Sequence, residues 1–193
     1  LKSSTRTGFL VFQAEQDGEV FLRLNDFLFK GGADFLFRIS VTKRPRIQFV
    51  DPPLARIGVP QKMVVYGWNL PGGQPAGLKV PGMDMLERKE ATLHLPSEKE
   101  IEDPLETRNP IESTQRRHDY RISSPEGNSL PFSLAVCPGE WVKEQPGSKE
   151  IVNLSPPCEF VGSFFPARDR DRFRFEAKKG DAYRIEIHYE RLG

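Results

Sequence analysis

The chain has 193 residues, 37% of them hydrophobic and 28% charged, and a formal net charge of +1. That length fits one large domain or two small ones. The balanced charge argues against a dedicated nucleic-acid surface, and no apolar run is long enough to span a membrane. The 17 Pro and 16 Gly are high for a helical protein and normal for many short strands, with the 14 Phe expected to fill the inner faces of sheets.

The first section runs over residues 1–43. Leu1 opens a polar Lys-Ser-Ser-Thr segment just before an apolar stretch over 9–14. Asp17-Gly18 reads as a turn. Val20, Leu22 and Leu24 then alternate with Phe21 and Arg23. Beyond Lys30-Gly31-Gly32, Phe35, Phe37, Ile39 and Val41 alternate with Leu36, Arg38 and Ser40. Period-two alternation between Gly turns predicts three to four strands. So few strands bury little area, so further sheet from upstream is expected.

Thr42-Lys43-Arg44-Pro45-Arg46 is a polar hinge with a proline, a domain boundary by composition. The section over 46–138 carries a short strand over 47–50, ended by Asp51-Pro52-Pro53. A second strand is predicted over 62–69, with Met63, Val65 and Gly67 on one face and Val64, Tyr66 and Trp68 on the other. Further strands are predicted over 91–95, 120–123 and 130–136. Five or more short strands at this spacing predict an antiparallel sandwich. Residues 96–119 lack a sustained period and are predicted as a long charged loop. Residues 139–157 read as a linker.

The last section, 158–193, has Phe173 and Phe175 alternating with charges. After Lys178-Lys179-Gly180-Asp181, Tyr183, Ile185, Ile187 and Tyr189 do the same. This is the pattern of a hairpin with one buried face. The pattern stops while still alternating, and both ends are expected to be cuts through a longer protein.

Asp169-Arg170-Asp171-Arg172-Phe173-Arg174-Phe175 and Ala177-Lys178-Lys179-Gly180-Asp181, with Gly162, resemble the opening half of a bacterial pre-peptidase C-terminal domain. Asp17-Gly18-Glu19-Val20 and Phe35-Leu36-Phe37-Arg38-Ile39 are similar to the last strands of the same domain. Pro45-Arg46-Ile47, Pro52-Pro53, Gly58 and Val65-Tyr66-Gly67-Trp68-Asn69-Leu70 are similar to the immunoglobulin-like fold shared by plexins and transcription factors (IPT/TIG). The resemblance implies an all-β chain of tandem antiparallel sandwich modules, with an immunoglobulin-like centre between two partial jelly-roll-like sandwiches. It further implies a secreted or surface-exposed bacterial multidomain protein, extracellular or periplasmic. In such a protein these modules are non-catalytic and space or target neighbouring domains, and some relatives bind collagen or polysaccharide.

Asp169 and Asp171 are the candidates for calcium, since two carboxylates two residues apart supply hard oxygen ligands. The alternative is that they accept hydrogen bonds from backbone N–H groups entering the next strand. Arg168, Arg170, Arg172 and Arg174 lie on one side of an extended chain, a stripe for an anionic glycan or acidic surface. Their ordinary role is a solvated sheet face, which is favoured. Tyr66 and Trp68, with Trp141, suit a stacking platform for a glycan or matrix protein. Here too the ordinary role, covering a sheet and a domain junction, is favoured.

Cys137 and Cys158 are too few for a zinc site. A disulfide between them and two free thiols fit the sequence equally. His94, His118 and His188 are widely spaced, and no nucleophile elbow, metalloprotease helix, phosphate loop or dinucleotide fingerprint is present. The sequence therefore points to a non-catalytic spacer and interaction segment, with a carbohydrate- or matrix-binding module as the alternative.

Overall fold

The computed structural model describes residues 9–26, 28–78, 84–95, 97, 116–137, 139–145, 151–164 and 170–187. Most of the expected 96–119 loop falls outside them. The fold is all-β: among the described residues there are eleven strands and no helix.

Proline sets the first constraint. β1 (Arg46–Asp51) stops at Pro52 and Pro53, which lack the N–H that a ladder needs. The chain resumes as β2 (Leu54–Arg56) in a different sheet. β3 (Gln61–Trp68), β4 (Gln74–Pro75) and β5 (Glu87–Leu93) complete the first sheet, in the order β1-β3-β5-β4, antiparallel throughout. β6 (Arg117–Tyr120) and β7 (Phe132–Cys137) pair antiparallel, and β2 lies parallel to β7 on its other side. β6 reaches further back than the sequence suggests, into the expected loop. Past Tyr120 the hairpin still closes, because Ile122 N donates to Ser129 Oγ at 3.0 Å and Ser129 N to the Ile122 carbonyl at 2.8 Å.

The two sheets enclose one core. Alternation along β3 sends Met63 and Val65 inward, against Ala55 and Leu134 of the second sheet. Ile47, Val50, Leu70, Leu93, Leu95 and Ile122 fill the rest. Val65 and Leu134 are fully buried. Gly67 is required at the start of the β1–β3 ladder, since a Cβ there would overlap the carbonyl of Arg46.

Strand direction places the two connections of this sandwich at opposite poles. Arg46 pairs with Trp68 at one end of the first sheet. At the other end Gln61 pairs with Leu93, and the parallel bridge from Ile57 to Leu95 brings the end of β2 there too. Arg56 pairs with Cys137 at that same pole. The Gln61 side-chain amide donates to the Leu54 carbonyl and ties the sheets together there. The chain therefore comes in at Arg46 and leaves at Cys137, separated by at most the extended length of the 46–56 run, about 33 Å at about 3.3 Å per residue.

The stretch expected as a linker folds onto the exit pole. β8 (Trp141–Lys143) runs parallel to β10 (Glu159–Val161), and β9 (Val152–Asn153) parallel to β11 (Phe173–Arg174). Val161 and Trp141 join Leu54, Ala135 and Cys137 in a second cluster. A single large apolar anchor thus outweighs the polar composition around it. Lys143 Nζ reaches Asp51 at 2.7 Å, and Glu144 accepts from Ser163 N at 2.7 Å.

The flanks differ from expectation. No strand is present among the described residues of 9–45, and only β11 forms between 170 and 187. The turns are nonetheless there. Phe35 N donates to the Gly32 carbonyl at 3.1 Å and Asp181 N to the Lys178 carbonyl at 3.1 Å. Gly180 takes a positive φ of 97°. Phe175 and Tyr183 meet across the second turn, ring centroids 5.2 Å apart. Turn geometry is local, whereas a strand needs a partner edge, and alternation specifies a face without supplying that partner.

The core predicts its own weak points. Leu134→Ala should lower stability by about 2–5 kcal/mol, read as an earlier midpoint in urea unfolding. Gly67→Ala should also shift the midpoint down, although it removes no contact.

Candidate ligand-binding face

The outer face of the first sheet carries one row of side chains across all four strands. Register places Phe49 (β1) beside Tyr66 (β3), Tyr66 beside Arg88 (β5), and Arg88 beside Gln74 (β4). Tyr66 faces outward because Val65 next to it faces the core. Phe49 faces outward because the register slips between Ile47 and Phe49, so that Ile47 and Val50 both point inward. Such a bulge re-aims a side chain that strict alternation would bury. The Phe49 and Tyr66 rings stack at 4.5 Å with 18° between planes.

Arg88 carries the polar end of the row. Its Nη2 lies 3.3 Å from Glu90 Oε1, an exposed pair worth less than about 1 kcal/mol. Pro71, Gly72, Gln74, Arg88, Lys89 and Glu90 line a shallow depression of about 530 Å³ beside it. The Asn69–Gly72 turn that forms its rim is held by Glu87, which accepts from Leu70 N at 2.7 Å. Asn69 and Gly72 both adopt positive φ there, 53° and 72°, a conformation these two residue types tolerate. A stacked aromatic pair running into a guanidinium and an amide can cover one apolar face of a ring and hydrogen-bond its hydroxyls.

Trp68 does not take part. It is on the same face as Tyr66 but only 3% exposed. Phe9 meets it edge-on at 5.3 Å, Arg46 lies 4.0 Å over the Phe9 ring, and the indole N–H donates to the Asp84 carbonyl at 2.9 Å. The contact from Phe9 is non-local, so the i, i+2 pattern of Tyr66 and Trp68 suggests a platform that tertiary packing takes apart. Trp141 is half-buried in the exit-pole cluster.

The other sequence candidates are dispersed. Arg168 and Asp169 lie outside the described residues, as does His188. Arg170, Arg172 and Arg174 are exposed, and Arg174 Nε donates to Asn153 Oδ1 at 2.9 Å beside the β9–β11 pairing. Among the described residues no group of three His, Cys, Asp or Glu side chains is placed to hold a metal ion, and Asp171 has no such companions there. His94 is exposed and His118 sits on β6 rather than in a loop.

Both cysteines are free thiols; Cys137 is buried and Cys158 exposed. Burial pushes the Cys137 thiol up, and the neighbouring Glu159 carboxylate adds to the shift. Burial also raises Tyr120.

No family model, curated protein or solved structure matches the chain. No helix among the described residues is long and apolar enough to cross a membrane.

The two thiols should differ in reactivity. Alkylation of the folded protein at neutral pH should label Cys158 quickly and Cys137 only after denaturation, because the thiolate is the nucleophile; mass mapping distinguishes the two. Stability should also fall at alkaline pH. The raised folded pKa of Cys137 and of Tyr120 means that the unfolded chain loses these protons first. The loss should begin as pH passes the usual thiol value of 9.0 and deepen past a tyrosine's 10.0. Tyr120→Phe should flatten the upper part of that curve, measured by urea unfolding at stepped pH.

Proposed function

We propose that the chain is a non-catalytic spacer and interaction segment of a secreted or surface bacterial multidomain protein. The observation that carries this reading is the sandwich with its connections at opposite poles, Arg46 at one and Cys137 at the other. A rigid body joined in line holds the segments on its two sides a fixed distance apart. The switching first strand and the parallel β2–β7 pairing are in keeping with an immunoglobulin-like centre. The resemblance of the flanks to pre-peptidase C-terminal domains rests on their residues alone. It supplies the expectation of an extracellular, cell-surface or periplasmic setting and of neighbouring domains as partners.

A second reading, a carbohydrate- or matrix-binding module, is favoured by one observation: the Phe49–Tyr66–Arg88–Gln74 row with its adjoining depression. On this reading the row takes a hydroxyl-rich ring, stacked on the aromatic end and hydrogen-bonded at the polar end.

Two measurements test these readings. Peptidase, esterase and glycosidase panels should show no turnover by the chain; turnover abolished by His94→Ala or His118→Ala would overturn the first reading. A glycan array and a collagen pull-down test the second. Binding should drop at least about tenfold, about 1.4 kcal/mol, on Arg88→Ala with the unfolding midpoint unchanged. An array and a pull-down both at background remove the second reading.

A further inference from the structure

Trp68 shares a face of β3 with Tyr66, about 7 Å along the strand, yet only 3% of it is exposed. Phe9 meets the indole edge-on at 5.3 Å, and Arg46, the ladder partner of Trp68, lies 4.0 Å over the Phe9 ring. The indole N–H is held separately, by the Asp84 carbonyl at 2.9 Å.

The cap is lightly fastened. The opening section is half-buried at Phe9 and Val11 and buried again at Pro45, while every described residue from 12 to 44 is exposed. No strand forms among the described residues of 9–45, so no ladder laces this stretch to the first sheet. The contacts of Phe9 with Trp68 and Arg46 therefore close a long loop, against the entropy of closure. An aromatic edge contact and a cation–π contact together favour the closed arrangement by roughly tenfold before that entropy is counted. Phe9 belongs to neither core cluster, so it can leave without unfolding the sandwich.

We propose, resting on the carbohydrate-binding reading of the outer face, that Phe9 is a strap which hides Trp68 when closed and, when released, bares the indole beside the Phe49–Tyr66 stack as a further stacking surface for a glycan. Asp84 keeps the indole in place when Phe9 leaves, so the longer platform needs no rearrangement of β3. Strap and glycan compete for the same ring. A sugar that stacks on Trp68 binds the open state, and its apparent affinity is reduced in proportion to the fraction of chains that are open.

Trp141→Phe leaves Trp68 as the sole tryptophan of the chain, and acrylamide quenching of its emission then reads the strap without any ligand. In that background Phe9→Ala should raise the quenching constant at least about twofold, with the urea midpoint unchanged. Phe9→Tyr should keep the parent value, and Arg46→Gln, which removes the guanidinium over the ring, should fall between. Should Phe9→Ala lower the midpoint, Arg46→Gln carries the comparison. Quenching that neither Phe9→Ala nor Arg46→Gln changes overturns the proposal. On a glycan array at limiting protein, Phe9→Ala should raise the signal of the glycans that wild type binds by about threefold or more, and the bound glycan should shield Trp68 from acrylamide. Wild-type binding that Phe9→Ala leaves unchanged, or a bound glycan that leaves Trp68 as quenchable as before, overturns the strap and leaves the carbohydrate reading standing. An array at background for both wild type and Phe9→Ala removes both.

Discussion

Everything in the central body depends on one run of eleven residues that serves two sheets. Residues 46–51 close the edge of the first sheet on β3, and residues 54–56 close the edge of the second on β7. Between them two prolines remove the N–H groups that would have continued the first ladder. The crossing holds the two sheets together covalently at one edge, and Val50 and Ala55 pack into the same core from either side of it. The same run fixes the distance and direction between the points where the chain comes in and leaves.

That geometry gives the molecule two kinds of surface. The sides of the sandwich are finished: alternation buries one face and leaves the other with charges and the Phe49–Tyr66 stack. The ends carry sections whose turns are formed and whose apolar rows are bare. The exit end is partly tied down through Trp141, Val161 and the Lys143–Asp51 pair. At the opposite end the opening section is fastened at Phe9, which caps Trp68.

The row on the outer face shows how far single-strand reasoning reaches. That Tyr66 shares a face with Val64 and Trp68 is legible because alternation along β3 is uninterrupted, but which face is the outer one is set by packing against the second sheet. The face of Phe49 is not legible, because the register slip in β1 inverts the face that alternation assigns it, and that slip is set by pairing with β3. Arg88 and Gln74 join the row only through ladder register across three strands, which no local pattern encodes. Trp68 has the right spacing and the wrong neighbour, since a residue 59 positions earlier in the sequence covers it.

The sequence by itself determined the all-β class, which residues of β3 share a face and the positions of the tight turns. These come from side-chain alternation and from the backbone preferences of Gly, Pro and Asn, which act over two to four residues. Tertiary structure alone decided which strands share a sheet, that β2 runs parallel to β7, and that among the described residues the alternating flanks form no ladder beyond the short β9–β11 pairing. Those outcomes depend on hydrogen-bonding partners and apolar contacts far apart in sequence. A periodic segment specifies which of its faces is to be buried, and only the assembled fold supplies the surface that buries it.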